Sequence, residues 1–193
     1  MIETSLYTAK TVELTELDLE KDTPLLAEWC QDPMIYHRVL DGHFRAPSTA
    51  AVKKSIEEAM KKVEDTETWY FFAVREIEKP EDMVGFVRLI NQFPMHQYAE
   101  ITFGFRDEET AQKFGSETLQ LFLHYLFMEA NFYKLEMGIA ACETILGRLL
   151  EDAGFTRDVV GREAIFLNGE YVDEYLYGMT RPEYRQKNSE VRQ

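Results

Sequence analysis

The chain has 193 residues, enough for one compact domain with a sizeable core. Its 45% hydrophobic, 29% charged and 13% aromatic composition is that of a globular protein and excludes a disordered one. A formal charge of −14 repels phosphate backbones and anionic lipid, so nucleic acid and membrane surfaces are not expected partners, whereas amines and polyamines would be attracted.

The predicted elements run as follows. Thr11–Leu17 alternates and reads as a strand. Asp22–Gln31 places Leu25, Leu26 and Trp29 on one helical face. Asp32-Pro33 breaks that helix, and a short helical piece follows to Leu40, ending at Asp41-Gly42. Ser48 is a good N-cap for a helix to about Val63. Thr68–Arg75 and Met83–Asn91 are rich in aromatic and β-branched residues and read as strands. Tyr98–Arg106 is a further strand. Thr110 is the expected cap of a helix to about Ala130, with Leu119, Phe122, Leu123, Leu126 and Phe127 on a broad apolar face. Tyr133–Ala140 is a strand, and Thr144–Ala153 a helix closed by Gly154. Glu163–Leu167 and Tyr171–Thr180 form a hairpin about Asn168-Gly169. The expectation is a single mixed α/β domain over residues 1–181, with residues 182–193 a polar tail that frays.

No apolar run approaches the ~20 residues of a membrane span. The opening MIETSLYTAK lacks a basic region followed by an apolar one, so no signal peptide is expected. Two distant cysteines, Cys30 and Cys142, suit a reducing cytoplasm better than a disulfide framework. His37, His43, His96 and His124 show no metal-ligand spacing, and no metal is expected.

The segment AEITFGFRDEETAQKFG, Ala99 to Gly115, hands a strand to a helix N-terminus. Unpaired N–H groups and the helix dipole make such a junction a cradle for phosphate.

In order along the chain, several phrases resemble the GCN5-related N-acetyltransferase superfamily, in its RimJ/RimL-like branch. They are the opening strand and helix with Trp29, Asp32 and Pro33, FAVRE…MVGFVRL, AEITFGF, NFYKLEMGIAA, LLEDAGF and GREAIFLNGEYVDEYLYGMTRPEY. The resemblance spans about Thr11 to Tyr184. It implies a central, mostly antiparallel sheet of about six to seven strands flanked by helices. It also implies acetyl transfer from acetyl-CoA directly to a primary amine: a protein N-terminus, a polyamine, an amino sugar or an aminoglycoside. A homodimer would be ordinary for the family.

By this resemblance the pantetheine arm pairs with the fourth strand near Ile101, Phe103 and Phe105. The pyrophosphate lies over the N–H groups of Gln112, Lys113, Phe114, Gly115 and Ser116. The family cradle reads Gln/Arg-x-x-Gly-x-Gly/Ala. Here Thr110 stands for the Gln/Arg and Lys113 for the central glycine, and Gly115 matches. Lys113 reads either as a phosphate partner or as a solvated lysine at a helix start. In the next helix, Glu143, Leu146 and Leu150 occupy the slots of a usual Asn, Ser and Tyr. Glu143 is thereby a coenzyme-binding candidate, and no general acid stands at the usual positions.

Glu100 is the candidate base, and a structural carboxylate on the fourth strand is the other reading. Trp29, Tyr36, His37 and Phe44 lie where the family builds its acceptor pocket. Two functions stay open: an N-acetyltransferase, or a catalytically silent domain of the same fold acting through binding. Use of another acyl-CoA is a third.

Overall fold

A computed structural model of the protein describes residues 7–40, 47–64 and 71–190. Strands β1 (Val12–Glu16), β2 (Phe71–Glu76), β3 (Lys79–Phe93), β4 (Tyr98–Phe105), β5 (Lys134–Ala140), β6 (Thr156–Leu167) and β7 (Glu170–Thr180) form one sheet. Its seven strands lie in the order β1-β2-β3-β4-β5-β7-β6. Neighbours are antiparallel except β4 and β5, which run parallel. A parallel pair needs a crossover, and α4 (Glu108–His124) supplies it, ending in a π-helical turn, Tyr125–Glu129.

Alternation along the strands builds two cores. Phe71, Ala73 and Phe86 pack with α1 (Asp22–Trp29), α2 (Pro33–Val39) and α3 (Thr49–Glu64), through Leu26, Trp29, Tyr36, Val52 and Ile56. On the other face Ile101, Phe103, Leu135, Met137 and Ile139 pack with Leu119, Phe122 and Leu123 of α4 and Leu150 of α5 (Thr144–Ala153). Gly115 allows α4 and α5 to approach closely: a Cβ there would stand 2.5 Å from Leu149 Cδ1. A buried ion pair fastens α1 to the sheet. Arg75 of β2 donates to both carboxylate oxygens of Asp22 at 2.9 and 2.6 Å, and to Thr15 Oγ1 at 2.9 Å.

Local signals act as their chemistry requires. The Asp32 carboxylate accepts from Met34 N at 2.7 Å with Pro33 at the first helical position. Gly154 closes α5 with φ +104°, and Asn168 and Gly169 turn the hairpin with φ of +53° and +89°.

Three expectations are corrected. The cap of α4 is Asp107, not Thr110: its carboxylate accepts the Thr110 N–H at 2.8 Å. Strand β6 begins at Thr156, well before Glu163. Its outer position leaves most of it exposed, so burial imposes no alternation, and its register with β7 shifts between Gly161 and Ile165. Residues 181–190, read mostly as a fraying tail, form helix α6 (Arg181–Glu190). Tyr184 is buried there with its ring stacked on Phe127 at 5.0 Å. Arg181 donates to the Phe132 carbonyl at 2.8 Å.

Candidate active site

β4 and β5 pair at only three positions, Tyr98–Lys134, Ala99–Leu135 and Glu100–Glu136. β4 then continues to Phe105 and β5 to Ala140 with no rung between them. The ladder ends where β3 bulges against β4, its register shifting between Leu89 and Asn91 opposite Ile101 and Glu100. The result is a slot lined by unpaired strand edge, suited to an extended ligand bearing amides.

Two cavities open along this slot. One, of about 180 Å³, is bounded by the starts of α4 and α5, including Asp107, Glu108, Thr144 and Ile145. Helix N-termini present N–H groups and positive dipole ends. The other, of about 450 Å³, is lined by His37, Thr102, Ile139, Phe166 and Glu174 among others. Gly138 makes room for Glu174, whose carboxylate oxygen lies 2.7 Å from where a Cβ on that glycine would stand. Two residues line both cavities, Arg38 and Glu143. Arg38, in the last turn of α2, donates to the Glu143 carboxylate, and the second Glu143 oxygen accepts Ala140 N at 2.9 Å. Both side chains are about nine-tenths buried, at 10% and 11% exposure.

At the closed end of the slot Glu100 faces Glu136 across the parallel rung. Asn91 Nδ2 donates to Glu100 at 2.6 Å. The Tyr98 hydroxyl donates to Glu136 at 2.6 Å, with Glu100 at 3.4 Å. Lys134 pairs with Glu136 at 2.5 Å. Burial alone would raise the Glu136 carboxyl; the hydrogen bonds from Lys134 and Tyr98 overcome it and hold it below the usual range. Burial, reinforced by the hydrogen bond to Glu136, pushes the Tyr98 phenol up.

The structure distributes the sequence-derived candidates unevenly. Ile101, Phe103 and Phe105 point into the core, at 1%, 0% and 5% exposure, so only their backbone edge faces the slot. Gln112, Lys113, Phe114, Gly115 and Ser116 lie inside α4, not at its first turn. α4 starts at Glu108, so their N–H groups lie beyond the first turn and are used by the helix itself. Lys113 pairs with Glu76 at 2.8 Å and lies 4.4 Å from the Phe114 ring centroid, in a separate cavity of about 200 Å³. Phe114 is core and Gly115 packs against α5. Trp29 and Tyr36 are buried in the α1–α3 core and do not line the larger cavity, which His37 does. Phe44 lies outside the described residues. Cys30 is buried, its thiol pushed up to about 12 by desolvation, while Cys142 is exposed at the small cavity. Arg38 and Glu174 were missed. The one available signal for Arg38 was its place beside His37 in a helix assigned to the acceptor pocket.

A mostly antiparallel sheet that parts at its one parallel pair, with helices launching from both arms, defines an acetyltransferase-type fold. The chain belongs to the acetyltransferase (GNAT) domain family, which it matches over residues 12–156. Solved structures agree. A chimera of the Vibrio cholerae spermidine N-acetyltransferase SpeG with hSSAT is 20% identical, aligned over 91% of this chain and 99% of that one, with a TM-score of 0.72. Mutant forms of the spermidine/spermine N-acetyltransferase SpeG from the same organism are 21% identical over 92% and 98%, with a TM-score of 0.72. A GNAT-family acetyltransferase from Bacillus anthracis is 20% identical over 92% and 99%, again at 0.72. No curated protein matches by sequence.

Proposed function

We propose that this protein, of the RimJ/RimL-like branch, transfers an acetyl group from acetyl-CoA directly to a primary amine. The parting of β4 and β5 beside the 450 Å³ cavity carries this reading. The slot fits an amide-bearing arm along the Ile101–Phe105 edge, and the starts of α4 and α5 offer N–H groups to its phosphate end. The amine enters from the larger cavity, where Glu174 attracts it as an ammonium. Glu100, directly or through a water, takes its proton. The amine nitrogen then bonds to the thioester carbonyl carbon, the C–S bond breaks, and the surplus proton on nitrogen passes through water to the departing thiolate. Holding amine and thioester together supplies much of the acceleration. Carboxylates at positions 100, 136 and 174 support a polyamine, with several positive charges, over a singly charged amino sugar as acceptor.

Calorimetric titration with acetyl-CoA and a transfer assay over a panel of amines test this. Binding and transfer to a polyamine are expected. Glu100→Gln should lower turnover most at low pH, where more amine arrives protonated; an unaltered pH profile would remove Glu100 from the role. One observation favours the silent-domain reading: Asp107 and Glu108 place negative charge at the α4 start where phosphates would lie. Absence of any thermal stabilisation at millimolar acetyl-CoA would establish that alternative.

A further inference from the structure

The two cavities of the slot meet at a single ion pair. Arg38 and Glu143 are the residues common to both linings, and each is tied to a different wall. On one side α2 is fixed by the Asp32 cap and by Arg88, which donates to the Val39 carbonyl at 2.6 Å. Arg38 projects from that helix. On the other side Glu143 is held by Ala140 N at the end of β5 and precedes α5. Their contact therefore spans from α2 to the β5–α5 junction, across the mouth between the parted strands. Neither side chain is solvated enough to leave its partner at low cost, because separation strands a charge in a poorly hydrated site.

We infer that the Arg38–Glu143 ion pair is a bolt between the two cavities, which an acyl donor long enough to span both must open to bind. This inference rests on the acetyl-CoA reading of the slot. A ligand confined to the small cavity binds with the bolt shut. A ligand whose arm must reach the large cavity binds only to the fraction of molecules in which the pair has opened, and its apparent affinity falls by that fraction. Glu143 occupies a slot where the family has an uncharged Asn, so the bolt is a property of this sequence.

Acetyl-CoA is the spanning probe and ADP the short one, each titrated into wild type, Glu143→Gln and Arg38→Met. Glu143→Gln keeps an acceptor for Ala140 N and removes the charge; Arg38→Met removes the other partner. The bolt predicts that the ratio of the ADP Kd to the acetyl-CoA Kd rises about threefold to tenfold in both variants. Taking this ratio cancels the plain electrostatic effect of changing a charge near phosphates. An unchanged ratio, or one that falls in Arg38→Met because the guanidinium itself holds the donor, overturns the bolt. Hydrogen exchange at the Ala140 amide reads the same element without ligand. It should accelerate about tenfold in Glu143→Gln, as the weakened pair opens more often. Protection equal to wild type overturns the inference. If none of the proteins binds acetyl-CoA but the Ala140 amide is deprotected as expected, the bolt stands and the acyl-donor reading falls.

Discussion

Gly115→Ala separates two roles for the glycine that matches the family's cradle. In the structure this residue lies inside α4 and faces Leu149 of α5. A methyl group there would sit 2.5 Å from Leu149 Cδ1 and 3.0 Å from Cδ2, whereas unstrained carbon contacts need about 3.5–4.0 Å. Forcing Leu149 aside in a packed interface costs about 1–3 kcal/mol. Alanine in place of glycine in a helix interior returns about 1 kcal/mol. The net expected loss is about 0–2 kcal/mol, or a Tm lower by up to about 8 °C for a chain of this size. Leu149→Ala removes the atoms in conflict. In that background Gly115→Ala should be stabilising by its helix-propensity gain, giving a coupling of about 1–3 kcal/mol in a double-mutant cycle. Urea unfolding of the four proteins measures it, and acetyl-CoA affinity is followed in parallel. Effects that add to within about 0.3 kcal/mol would refute the packing role. A tenfold loss of acetyl-CoA affinity without coupling would show that the glycine serves the ligand.

Asp22→Asn leaves Arg75 buried beside a neutral partner and should cost about 3–5 kcal/mol by urea unfolding. A loss below about 1 kcal/mol would show that the pair does not hold α1 to the sheet. Lys113→Ala should leave the acetyl-CoA Kd within about twofold, since its partner is Glu76 in an exposed pair; a tenfold weakening would return Lys113 to the phosphates. Glu136 is held below its unfolded value, so its stabilising effect is complete at neutral pH. That effect is lost as pH falls through the depressed folded value. Glu136→Gln should therefore flatten the acid limb of stability against pH, and an unchanged limb would contradict the assigned shift.

Elements whose cause is local were legible in the sequence. Asp32-Pro33, Gly154 and Asn168-Gly169 act through their own backbones, and each does in the structure what its chemistry requires. Where several residues could do the same job, the outcome was not local. Asp107, Glu108, Glu109 and Thr110 all suit a helix start, and only packing decides which one caps. α6 hides for another reason. Its tie to the core runs largely through one side chain, Tyr184, so almost no apolar period marks it. The strand whose edge lines the slot was legible, as Tyr98–Arg106. The site was illegible where it depends on side chains converging from distant elements. Arg38 and Glu143 are 105 positions apart, and nothing along the chain announces that they meet.

The same convergence bears on how an anionic ligand would engage the small cavity. Two guanidiniums line it, and each is already held by a carboxylate: Arg106 by Asp107 at 3.1 Å, and Arg38 by Glu143. The pairs differ in environment. Both side chains of the Arg106–Asp107 pair are 49% exposed, and such pairs contribute about 0–1 kcal/mol, so a phosphate displaces Asp107 at little cost. Freeing Asp107 does cost something else, because its carboxylate also caps Thr110 N; the exchange is favourable if the carboxylate keeps the cap and Arg106 alone swings to the phosphate. The Arg38–Glu143 pair is nearly buried, and opening it without a replacement leaves charge unpaired. On the proposed reading, engagement would proceed from the exposed arginine inward: the phosphate end would dock first, and insertion of the arm would be the step that the buried pair controls. High salt would then weaken ADP and acetyl-CoA to the same degree, through Arg106, and leave the ratio between them unchanged.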